Sequence, residues 1–395
     1  MIEFLKQLDI IINMNNQYPL WQRVIGVPGI LISGTAVVIF QKILFDQQGF
    51  GLESYGYHSF SKPWFQTYLM LFCMIFALFL HKLFKTENNN EDPFVDKEKR
   101  KKVFRLTAYI GVLYLSATTL MNIGLQKIQA SVWQMLRGSL VLFSSIFSAF
   151  ILKRPHYSFM WWSVMIIFIG LSVVGIAAIV STGVGKEGVS KSTVIIAILI
   201  TAGAQILQVI QIILEDYLMH DIGLSCVQLV GLEGVWGFLF SVFIFIPMNM
   251  FNATPQNEGD GIHENIIDTL LMISKSSSLK ILILFYSILT LLTNVTGTLA
   301  TEITSAVVRT IVEGFRTMGI WIVQLTLHYT LRNTDYGKKH PSIGEEWSVF
   351  SWMQLSGFLL LFTGMLLYNK ILRMPFFDYP GEQRLSNDPL LSTNE

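Results

Sequence analysis

Apolar residues run along this chain in long blocks separated by short polar connections, from about residue 23 to residue 370. A helix rising about 1.5 Å per residue needs roughly 20 such residues to cross about 30 Å of hydrocarbon. Ten blocks meet that length, near 23–44, 65–84, 103–121, 131–152, 159–180, 192–214, 223–247, 279–299, 303–330 and 349–370. The pattern predicts an all-α polytopic membrane protein with ten transmembrane helices. The third block is the weakest, thinned by Thr107, Ser116, Thr118, Thr119 and Asn122, and the seventh, which contains Glu233, is next. Composition strengthens the picture: 52% of residues are hydrophobic and only 14% charged, with a mean hydropathy of +0.51, far from the balance of a soluble domain.

The interruptions of the apolar pattern are more informative than the pattern itself. The fourth block, Ala130–Leu152, contains Arg137, and the ninth, Ser305–Leu327, contains Arg309, Glu313 and Arg316. A charge at the centre of a membrane helix costs about 2.5–3.5 kcal/mol on insertion scales, so these residues are expected to face protein or water within a bundle. Both blocks open with small residues, and the fifth and tenth both contain a Phe-x-Gly element, Phe168-Ile169-Gly170 and Phe362-Thr363-Gly364. These matches predict an internal repeat, spans one to five over 23–180 and spans six to ten over 192–370. An odd number of spans per repeat inverts the second copy relative to the first.

Charge and cysteine usage add boundaries. The basic run Lys97–Arg105 favours a cytosolic N-terminal segment 1–22 and a cytosolic tail 371–395, although Lys338 and Lys339 then fall on the other side. Segment 1–22 has helical apolar spacing and no cleavable-signal core. The connection Phe251–Ser278 carries an N-glycosylation acceptor at Asn252-Ala253-Thr254, on the lumenal side in this topology. Cys73 and Cys226 fall within spans and make no metal or disulfide pattern. The net charge of +1 points to no nucleic acid. No zinc-protease, nucleophile-elbow or phosphate-loop motif occurs, so neither an enzyme nor an ATP-driven pump is expected, and no cofactor.

The candidate site residues are the polar groups inside the spans. Arg309, Glu313 and Arg316 are spaced i, i+4, i+7 and share one helix face, which carries one surplus positive charge. Gln134 and Arg137 are i, i+3 and adjoin; Arg137 either lines a cavity or pairs with Glu233 or Glu313. Gln205, Gln208 and Gln211 form an i, i+3, i+6 stripe that bonds a neighbouring helix or faces cargo. Glu233, if buried without an arginine, is a candidate proton carrier. Thr118, Thr119, Asn122 and Asn294 are neutral candidates, and Gly231, Gly234 and Gly237 are expected to permit close helix packing.

The stretches Ala130–Gly138, Gln205–Gly237 with its LED and LEGVWGF elements, and Thr304–Ile322 resemble the drug/metabolite transporter superfamily. More narrowly they are similar to the F branch of solute carrier family 35, the nucleotide-sugar-transporter-like group related to chloroquine-resistance-type transporters. The resemblance covers most of residues 20–375 and implies two inverted five-helix repeats around a central cavity, with alternating access. The expectation is a secondary-active transporter of a small polar, anionic metabolite in a lysosomal, vacuolar or Golgi–endosomal membrane. Its expected partners are the lipid bilayer, the small-molecule substrate, and protons or a counter-substrate. Gln134, Arg137, Gln205, Gln208, Glu233, Arg309, Glu313 and Arg316 are the expected substrate-binding set. The alternative is a transport-inactive scaffold or receptor acting through its tails, where Asp388-Pro389-Leu390-Leu391 is similar to a dileucine sorting signal.

Overall fold

The computed structural model describes residues 20–84, 96–150, 157–181, 190–247, 254, 263–303, 306–334 and 344–377. The expected surface helix before residue 20, Asn252 and the tail motif lie outside the described residues. A helix stands at each of the ten expected positions. They are α1 (Leu20–Asp46), α2 and α3 (Pro63–Ile75 and Ala77–Phe84), α4 (Lys97–Lys127), α5 and α6 (Ala130–Leu136 and Ser139–Phe150), α7 (Ser158–Ser181) and α8 (Lys191–His220). After these come α9 (Cys226–Phe240, extended by a π-helical turn Ser241–Phe245), α11 (Ser277–Ile303), α12 (Ala306–Leu331) and α13 (Val349–Tyr368). The short helix α10 (Ile266–Lys275) precedes α11.

Helix starts follow local chemistry. Pro63 opens α2, where its missing N–H costs nothing, and Asp96, Ser190, Ser225 and Asn265 accept from the first free amides of α4, α8, α9 and α10. Among the described residues, eight helical stretches are long and apolar enough to cross a membrane, from Pro28–Asp46 to Val349–Tyr368. They are the expected spans one to three, five to eight and ten. The other two are those that carry the candidate arginines. The fourth is broken at Arg137–Gly138, where Gly138 N bonds Met135 O at 2.9 Å and Val141 N bonds Gly138 O at 3.2 Å, both i to i−3. The ninth, α12, is a continuous helix of 26 residues whose apolar run is interrupted by Arg309, Glu313 and Arg316.

The helices pack α7 on α13, α1 on α11, α4 on α8 and α2 on α9. Further contacts join α1 to α12, α6 to α8, α5 to α12, α4 to α9 and α2 to α11. Glycines allow the closest of these. A Cβ at Gly170 would stand 2.7 Å from both Gly357 O and Leu361 N, so α7 and α13 meet backbone to backbone. Gly231, Gly234 and Gly237 lie against Leu78, Met74 and Leu71, as their spacing predicts. Gly170→Ala is therefore expected to cost about 1–3 kcal/mol by overpacking. Gly175→Ala, where nothing lies within 4 Å, should be nearly neutral. Thermal unfolding of the two variants in detergent checks the difference. The outward face of α11, with Ile281, Leu284, Phe285, Ile288 and Leu292 exposed, has the stripe spacing of a lipid-facing helix.

One end of the bundle carries a cap that the apolar pattern does not predict. Strands β1 (Gln48–Phe50) and β2 (Tyr57–Ser59) pair antiparallel, and α10 lies against β1. Asp268 of α10 is fully buried and accepts from Lys62 Nζ at 2.9 Å, His58 Nε2 at 3.1 Å and Leu52 N at 2.7 Å. Burial pushes its carboxyl up, but the His58, Lys62 and Leu52 hydrogen bonds and the Lys62 charge outweigh it and hold the group well below the usual carboxylate range. At the same end Glu264 accepts from Trp64 N at 2.5 Å and Phe65 N at 3.0 Å, and Glu345 accepts from Ser131 N at 3.0 Å and from the Ser131 hydroxyl. The opposite end is tied by Lys102 donating to Tyr217, by Ser225 with His81 at 3.4 Å, and by Cys226 N donating to Glu302 at 3.4 Å.

Candidate functional site

The charges of the fourth and ninth spans meet. Arg137, at the break between α5 and α6, lies 3.5 Å from Glu313 Oε2, and Arg316 lies 3.6 Å from the same oxygen. Gln134, with its side-chain oxygen turned to Arg316, accepts from Nη2 at 3.0 Å and Nε at 3.3 Å. Arg316 is 3% exposed and Gln134 2%. The Arg137 guanidinium also lies over the Trp133 ring, 5.3 Å from its centroid. Its Nε is buried with no hydrogen-bond partner among the described residues.

The break explains this placement. A continuous helix would carry Gly138 and Val141 on in register; the tightened turn instead leaves Arg137 at the junction, where Gly138 packs on Leu361 of α13. The resulting cleft is lined by Gln134, Arg137, Val141, Glu313, Thr317 and Leu361, among others. It holds about 20 Å³, room for a water molecule and not for a metabolite. The helices must separate before this place can take a solute.

Arg137 pairs with Glu313 and borders this water-sized cleft. Of the remaining candidates, Arg309 lies on α12, but its side chain is outside the described residues. Glu233 is buried on α9 and does not line the cleft. Gln205 and Gln208 are buried on α8, also away from it; Gln205 donates to Met121 Sδ at 3.1 Å, and the side-chain oxygens of both lack a hydrogen bond among the described residues. Gln211 donates to Glu215 of its own helix at 2.5 Å.

Of the neutral candidates, Asn122 and Asn294 tie helices together, whereas the buried Thr119 hydroxyl has no hydrogen bond among the described residues. Asn122 accepts from Gln41 at 2.8 Å and donates to Thr67 at 2.8 Å, joining α1, α2 and α4. Tyr114 donates to Asn294 at 2.5 Å. Sequence reasoning did not single out Lys42, which is buried and closes the end of α4 by donating to Leu125 O at 2.8 Å and Ile128 O at 3.0 Å. Its position near the end of the first apolar block conceals it, since a lysine there also reads as an interfacial anchor.

Residues 52–176 match the EamA-like transporter family. Solute carrier family 35 member F6 of Rattus norvegicus is 28% identical over 260 residues, which span 66% of this chain and 64% of the rat protein. The protein of the same name from Mus musculus is 26% identical over 320 residues, 80% of each chain. An uncharacterized protein of Schizosaccharomyces pombe is 28% identical over 282 residues, 70% of this chain and 76% of the yeast protein. The match thus spans just under two thirds of the rat relative's length. With its apolar helical spans, the chain is similar over residues 52–176 to the EamA-like transporter family and, at 26–28% identity, to solute carrier family 35 member F6 of rat and mouse.

Proposed function

We propose that this protein is a secondary-active transporter that moves a small anionic metabolite by alternating access of two inverted five-helix repeats, residues 23–180 and 192–370. The observation that carries the reading is the Arg137–Glu313–Arg316 group inside the bundle, where two arginines, of which Arg316 is buried, share one carboxylate oxygen. Glu313 stands where the carboxylate or phosphate of a substrate would, and the arginines outnumber it. An entering anion that takes over these contacts frees Glu313 and with it the link between α5 and α12.

Helix packing supports the repeat. Exchanging each span with the one five places on maps the contact of spans one and eight (α1 with α11) onto that of six and three (α8 with α4). The same exchange maps one with nine onto six with four, and three with seven onto eight with two. Spans five and ten, two and seven, and four and nine map onto themselves. The ties at the bundle ends support ten crossings: residues 52–65, 131, 264–268 and 345 meet at one end, and residues 81, 102, 217–226 and 302 at the other. An intracellular membrane with cytosolic termini is the address we propose, from the basic run at 97–105.

The ion pairs to Glu313 also favour a second reading, a scaffold whose membrane charges are structural. Uptake into proteoliposomes separates the two. Tested with a panel of carboxylates, phosphates, nucleotide sugars, amino acids and organic cations, the protein is expected to accumulate or exchange an anion. Exchange of cations alone would overturn the anionic assignment, and no exchange of any compound by well-folded protein would favour the scaffold.

A further inference from the structure

Arg316 owes its position to a residue with no side chain. A Cβ built on Gly34 of α1 would stand 2.6 Å from Arg316 Cδ and 2.7 Å from Nη1, with Cζ at 3.4 Å. The first two distances are shorter than carbon tolerates, so any residue but glycine at 34 displaces the guanidinium or forces α1 away from α12. On its other side the guanidinium meets the Gln134 oxygen at 3.0 and 3.3 Å, and Glu313 lies 3.6 Å off. Arg316 is thus confined between α1, α5 and its own helix α12.

We infer that Gly34 is a positioning residue for the anion site: it forms a notch that seats the Arg316 guanidinium against Gln134, making span one a wall of that site. The value of the notch for transport rests on the anionic reading above; the seating itself does not. With a methyl group at 34 the arginine swings off Gln134, and the two positive charges no longer converge on one oxygen.

The test is a double-mutant cycle on the full chain purified in detergent, comparing Gly34→Ala, Arg316→Ala and the double variant by thermal unfolding. Gly34→Ala is expected to lower the unfolding midpoint of the wild type and to leave that of Arg316→Ala unchanged. Equal loss in both backgrounds, or no loss in either, overturns the notch. If Arg316→Ala does not fold, Arg316→Ser serves, since its side chain ends at the γ position, one atom short of Cδ. The same proteins are then titrated with inorganic phosphate and with succinate. Where either anion stabilises the wild type, Gly34→Ala should weaken its apparent affinity about tenfold or more, approaching Arg316→Ala, and unchanged affinity overturns the positioning role. If neither anion stabilises the wild type, the anionic reading loses support while the unfolding cycle still decides the notch.

Discussion

Asp268→Ala is expected to cost about 3–5 kcal/mol, because it strands a buried lysine without its carboxylate. Lys62 is fully buried and donates to Asp268 at 2.9 Å; His58 and the Leu52 amide converge on the same side chain. Chemical unfolding in detergent measures the loss, and faster proteolysis within residues 47–62 should accompany it. The double variant Lys62→Met/Asp268→Leu should recover most of the stability, since replacing both members of a buried pair with apolar groups is often neutral. If the double variant is as unstable as Asp268→Ala, the cause is shape and not stranded charge. The pH dependence has a definite sign. A carboxyl whose folded value is depressed contributes stability above its unfolded value, near pH 4, and loses it as pH falls through the lower folded value. The Asp268 tie should accordingly be intact at pH 5 and fail only in stronger acid.

Arg316→Gln should weaken binding of the transported anion by roughly 30-fold or more, from the about 2–5 kcal/mol lost when one partner of a buried charged contact is truncated. Arg316 is 3% exposed and holds its place through Gln134 and Glu313. Glutamine removes the charge and leaves Glu313 with Arg137 at 3.5 Å. Glu313→Gln should act in the opposite sense, since it removes the competing carboxylate and leaves both arginines to the substrate. Titration calorimetry with the anion selected by uptake measures both. Equal affinity of wild type and Arg316→Gln would place the binding site elsewhere, with the Gln205–Gln208 face of α8 the next candidate.

Eight of the spans were legible because each depends on a local property, an apolar run long enough to cross. The charged group was half legible. Helical spacing places Arg309, Glu313 and Arg316 on one face, but nothing local says that Arg137 joins them, because its position depends on the turn at Gly138 and on Leu361 far along the chain. The cap was not legible at all. Lys62 and Asp268 are 206 positions apart, and each alone reads as a solvated loop charge. Glu264 and Glu345 were equally hidden, since a carboxylate before a helix reads as its own helix's cap and here serves another's. Gly34 could not be singled out among 29 glycines without knowing which side chain crosses it.

Those borrowed carboxylates also bear on how the chain is made. The start of α2 is held by Glu264, the stretch leading to it by Asp268, and the start of α5 by Glu345, all supplied from the second half. A ribosome that has released the first five spans has therefore produced helices whose leading amides are still unanswered. These ties can close only once synthesis has passed Glu345, so the last contacts of the early half form after its own helices have been made.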